Sequence, residues 1–177
     1  MTPMSQEPFW VVVVSTLHAL AWSVYVGGAV CMELVLRHAQ QFMKPSQIAV
    51  VCQKSGKSYR WWSFVCLLVL FATGVALARH SGLALNRLDL ASIALWGLVT
   101  LWFAQLFILG LLSFRIHPDM HARLASDMTE EQIKIERARV GRAIVSMDRT
   151  VRIELGCALV AMLLGSLIQF SPLLSGG

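Results

Sequence analysis

Residues 8–32 read PFWVVVVSTLHALAWSVYVGGAVCM, 25 positions without a Lys, Arg, Asp or Glu. The hydrocarbon core of a bilayer is about 30 Å thick and takes about 20 helical residues to cross, and a helix is the single-segment structure that satisfies its own backbone there. Three more runs without those four residue types follow, Trp61 to Ala78 (18 residues), Leu90 to Phe114 (25) and Leu155 to Gly177 (23). A chain of 177 residues that is 56% apolar and 14% charged, with a mean hydropathy of +0.64, is too apolar for an ordinary soluble domain of its size. The expected fold class is all-α, a single integral membrane domain of four helices packed as a bundle, with spans at about 9-36, 61-79, 89-115 and 151-171.

The basic residues divide unevenly between the connections. Arg37, Lys44, Lys54, Lys57 and Arg60 lie between the first two runs, and Arg115, Arg123, Lys134, Arg137, Arg139, Arg142, Arg149 and Arg152 between the last two. Only Arg79 and Arg87 fall on the other side. The positive-inside rule then makes the first and third connections cytoplasmic and puts both the N-terminus and the C-terminus on the periplasmic side of a cell inner membrane. Residues 1–8 carry Glu7 and no Lys or Arg, which is unlike a secretory signal, so the first helix is expected to be retained. The net charge of +5 and pI near 9.4 are accounted for by this topology and by anionic headgroups, and no nucleic-acid partner is expected. Cys31, Cys66 and Cys157 sit inside spans and Cys52 on the reducing side, so no disulfide framework is expected.

Lys44-Pro45 and Ser55-Gly56 predict a short helix between two breaks in the first connection. In the third, Asp127 or Thr129 is a candidate N-cap ahead of Glu130 and Glu131, and Ile133, Val140, Ile144 and Val151 recur at spacings of seven, four and seven. This predicts a cytoplasmic helical extension, about 128-150, that runs without a break into the fourth span and offers a surface to a membrane or cytoplasmic protein partner. Phe9, Trp10, Trp61 and Trp62 mark the two interfaces, and Gly27, Gly28, Gly74, Gly156 and Gly165 are places for close helix approach.

Intramembrane polar groups are expensive, so they mark candidate sites. His18 lies eight residues beyond Trp10, roughly 12 Å into the bilayer, at the depth of Thr73, Trp96 and Ser166. Two readings stand side by side: an imidazole that ligates copper or haem iron, or a neutral histidine bonded to Thr73, Ser166 or a carbonyl. Nearer the cytoplasm, Cys31, Met32, Cys66 and Cys157 share one depth, as soft ligands along a copper path or as small buried apolar residues. Glu33 and Glu154, with Arg152 close by, suggest an ion pair between the first and fourth helices. Arg79, His80 and Arg87 crowd the short outer connection, where Arg79 and Arg87 would hold propionates if haem is bound, or else meet lipid phosphates. His117 and His121 have a ligand-like i, i+4 spacing, but a solvated helix start at Pro118 explains them as well. No nucleophile and base constellation, phosphate loop or complete zinc motif is visible, so an enzyme reading rests wholly on haem.

Leu17-His18 followed by Trp22, Tyr25, Gly27 and Gly28 resembles the opening helix of copper-resistance D (CopD) membrane domains, with Tyr25 where Trp is usual. Ser63 to Leu77, with Thr73-Gly74, looks like that family's second helix, and Arg149-Thr-Val-Arg-Ile-Glu154-Leu-Gly looks like its last. The resemblance implies a bacterial inner-membrane protein that takes part in copper uptake or tolerance, with His18 and Glu154 matching the family's first-helix histidine and last-helix glutamate. More distantly, His18, Gly28 and approximately His38 are similar to the first helix of HemJ-type membrane proteins, which bind haem b. Asn86-Arg87-Leu88-Asp89 stands where the third helix of many CopD members starts near a Lys, and the third-helix Lys on which the HemJ family relies is missing, so that family's enzymatic activity is not carried over.

Overall fold

The computed structural model describes residues 8–43, 45–83, 89–116 and 129–174, and these are helical apart from short turns. Helix α1 is Phe9–Gln40, with a wider π-type turn over Cys31–Leu36. Helix α2 is Pro45–His80, α3 is Leu90–Leu111 continued by a π-type turn Leu112–Ile116, and α4 is Glu130–Leu174. All four are long and apolar enough to cross a membrane. Their outward surface suits contact with lipid, since Leu20, Val24, Trp62, Phe107 and Leu163 all stand exposed.

The local sequence explains the ends of these helices. Thr129 and Gln132 form a capping box at the start of α4: the Gln132 N–H donates to Thr129 Oγ1 at 3.4 Å and the Thr129 N–H donates to Gln132 Oε1 at 2.9 Å. Asp127, the other candidate cap, and His117 and His121 lie outside the described residues. Asp89 caps α3 by accepting from the Ser92 N–H at 2.8 Å. At the far end of α2 the Leu83 N–H donates to the Ala78 carbonyl and the Gly82 N–H to the Arg79 carbonyl, a Schellman motif that needs the left-handed φ of +67° at Gly82.

The break expected at Ser55-Gly56 is absent, and α2 runs straight through it. Ser55 Oγ satisfies itself on the Val51 carbonyl at 2.6 Å, and a Cβ at Gly56 would meet Met147 Sδ of α4 at an ordinary contact distance of 3.7 Å, so the glycine lies within the helix beside α4 rather than at a turn. Pro45 opens the helix, where its missing N–H costs nothing.

Packing is uneven around the bundle: α1 lies mainly on α2 and α3 mainly on α4, while α2 meets α3 over a thinner seam. Lipid tails are as apolar as the side chains, so small residues and polar bonds do the joining. Ala29 and Ala158 are fully buried, and a Cβ at Gly97 of α3 would come within 2.8 Å of Leu164 Cδ1 on α4. Trp102 Nε1 donates to the Leu67 carbonyl at 2.9 Å, tying α3 to α2.

Candidate functional site

Two polar stations lie along one face of α1, an outer one toward the Phe9 end and an inner one toward the basic Arg37 end; this face buries Ala21, Tyr25 and Ala29 and carries His18 one heptad before Tyr25. Seven residues of helix put the stations roughly 10 Å apart in depth. At the outer one, His18 Nδ1 is 2.8 Å from Thr73 Oγ1 of α2. The Thr73 hydroxyl has one proton, and the Val69 carbonyl at 2.6 Å takes it. Nδ1–H is therefore the donor to Thr73, and the lone pair stays on Nε2, for which the described residues supply no partner. Gly74 lies beside the imidazole, where an added Cβ would be 3.7 Å from Cε1. Of the other groups expected at this depth, Ser166 donates to its own helix at the Met162 carbonyl, 3.0 Å away.

The inner station joins three helices. Glu154 of α4 has no exposed surface. Tyr25 of α1 donates its hydroxyl to Glu154 Oε1 at 2.8 Å, and Tyr59 of α2 donates to Oε2 at 3.0 Å. A buried carboxyl is tolerable only when its oxygens are paired, and here each receives one phenol. Gly28 gives the Tyr59 ring its place, since a Cβ there would be 3.4 Å from the ring carbons.

The expected ion pair divides. Glu33 Oε1 takes Arg152 Nε at 2.9 Å and Arg37 at 2.6 Å, so α1 and α4 are bridged. Glu154 is not in that bridge: two residues from Arg152 on the same helix, it points to nearly the opposite face, into the bundle, and its partners are phenols rather than a guanidinium. The sequence singles out Glu154 but neither tyrosine as its partner. Tyr25 is legible only as a replacement in a motif, and Tyr59 sits just ahead of the second apolar run. Gln105, buried in α3 with its Nε2 unpaired among the described residues, carries no signal in the sequence either.

The thiols are not gathered. Cys31 is exposed, Cys66 is buried against Tyr25 and Leu67, and Cys157 is half-buried. Met32 packs at the edge of the inner cluster around Tyr59 and Met147. Among the described residues no three His, Cys, Asp or Glu side chains come together as a metal site. At the outer end His80 meets Trp10 edge to face with ring centroids 5.0 Å apart and Arg79 is exposed, while Arg87 lies outside the described residues. No family model, curated protein or solved structure was found to match the chain.

Proposed function

We propose that this chain is a multi-pass protein of a bacterial inner membrane, both termini periplasmic, that takes part in copper handling through the intramembrane imidazole of His18. The single observation that supports it most is the division of labour at that ring: Thr73 engages Nδ1–H and leaves the Nε2 lone pair, which has no partner among the described residues, available as a ligand inside an apolar bundle. The CopD-like pattern around Leu17-His18 and Thr73-Gly74 names copper as the metal, and the thirteen basic residues of the first and third connections support the orientation.

The donor set suits a group that brings ligands of its own, since no three His, Cys, Asp or Glu side chains come together among the described residues. A copper ion would draw its remaining ligands from its cargo carrier or from another chain. The same count favours a second reading, in which His18 is an axial ligand of haem b, because the porphyrin supplies four donors of its own. In either case this chain's part is to hold the imidazole, fix its tautomer through Thr73 and exclude water.

An absorption spectrum with copper and iron analysis of gently purified protein, wild type beside His18→Ala, tests both. Copper lost in the variant supports the first reading, and an intense Soret band lost in the variant supports the second. Metal-free protein in both samples would overturn both.

A further inference from the structure

Where α2 and α3 meet over their thin seam, a cleft of about 510 Å³ opens at the basic end of the bundle. One wall is a single face of α2, with Lys57, Arg60, Trp61 and Phe64 at i, i+3, i+4 and i+7. The other is the matching face of α3, where Leu106, Leu109 and Ser113 run antiparallel to it. The cleft is therefore graded. Lys57, Arg60 and Ser113 sit toward the end of the bundle, and Phe64 and Leu106 lie deeper, about 10 Å from Lys57 along the helix. That depth is of the order of one leaflet's acyl region, about 15 Å. Lys57 is exposed and Arg60 half-buried, and neither has a carboxylate or other acceptor among the described residues. Arg37 and Arg152, toward the same end of the bundle, both engage Glu33 instead.

We propose that this cleft binds an anionic phospholipid, its phosphate held by Lys57 and Arg60 and an acyl chain lying over Phe64, Leu106 and Leu109. Two cations without counter-ions among the described residues, at the mouth of an apolar slot, complement a molecule whose charge and chain are joined in that order, and Trp61 stands at the boundary where aromatic rings settle. A zwitterionic lipid such as phosphatidylcholine would bring a choline cation beside Lys57 and Arg60 and leave their net charge uncompensated. A free phosphate would leave the apolar floor bare. The inference depends on the chain lying in a membrane and is independent of His18.

The test uses the full chain, stripped of lipid in mild detergent, with occupancy of added phosphatidylglycerol or phosphatidylcholine read by native mass spectrometry. Phosphatidylglycerol should bind more tightly than phosphatidylcholine of the same chains. Lys57→Gln and Arg60→Gln should each weaken phosphatidylglycerol binding about five-fold and phosphatidylcholine binding less than that. Lys134→Gln, an exposed charge on the α4 extension, should have no effect. Lys57 is exposed, so its variant keeps the proposal testable if Arg60→Gln folds poorly. Equal binding of the two lipids, equal weakening by Lys57→Gln and Lys134→Gln, or displacement of the lipid by inorganic phosphate at equal concentration would each overturn it.

Discussion

The outer and inner halves of the bundle solve the same problem in opposite ways. Both hold a titratable side chain at helix α1, His18 on that helix and Glu154 packed against it, but Glu154 is sealed, with no exposed surface and both oxygens taken by phenols from two other helices. His18 is half-buried and held by one bond, with its second ring nitrogen uncommitted among the described residues. A polar group whose every lone pair has an internal partner fixes how helices sit, whereas one with capacity to spare can meet something else. The difference is the ground for proposing that the inner station serves architecture and the outer one chemistry.

The sharpest way to break that assignment is at Glu154. Glu154→Ala removes the shared acceptor, strands two buried hydroxyls and leaves a cavity, and should cost about 3 kcal/mol of stability in detergent, read as a lower unfolding midpoint. A variant that unfolds with wild type would mean the inner station is not a lock. Tyr25→Phe and Tyr59→Phe come next. Each removes one donor to a carboxyl group and should cost about 1 to 1.5 kcal/mol, near the upper end for interhelical bonds in membranes. The two phenols share one acceptor, so the double variant should depart from additivity by at least about 0.5 kcal/mol, and strict additivity would show that they act separately.

How much of the fold and the site is legible in the sequence follows from what each signal depends on. The four spans need only counts of charge-free residues, because the bilayer sets their length. The start of α4 at Thr129 is legible in its capping residues. The bond between His18 and Thr73 is among the alternatives the sequence offers, since residue number along two helices fixes depth. It does not fix helix rotation in spans that are apolar all round. That is why proximity along the chain groups Glu154 with Arg152, and why nothing in the sequence points to Tyr59 or Gln105. Ser55-Gly56 misleads for a related reason: a glycine that lies inside a helix beside Met147 reads the same as a glycine that ends a helix.

Thr73→Val sharpens the outer side of the comparison. It is nearly isosteric and removes one interhelical bond, so stability should fall by only about 0.6 kcal/mol. Its weight is in the tautomer. Without an acceptor at Nδ1 the imidazole is free to carry its proton on either nitrogen, and whatever binds Nε2 should lose about ten-fold in affinity, measured as copper or haem content. Unchanged content with unchanged stability would remove Thr73 from the site.

The smallest effect belongs to Arg152→Gln, and it completes the contrast because Arg152 lies two residues from Glu154. Its side chain is 47% exposed, and Glu33, 16% exposed, keeps Arg37 as a second cation when Arg152 is lost. Exposed pairs are screened by water and salt, so the cost should be about 0.5 kcal/mol or less and should shrink further in high salt. Charge alone would rank the arginine bridge above a carboxyl bonded to two neutral phenols. Burial reverses the order, since the phenols have no water to turn to when Glu154 is removed, whereas the Glu33 carboxylate has both water and Arg37. An Arg152→Gln variant as unstable as Glu154→Ala would mean that the α1–α4 seam is held at its charged rim, and the division between a structural inner station and a chemical outer one would have to be redrawn.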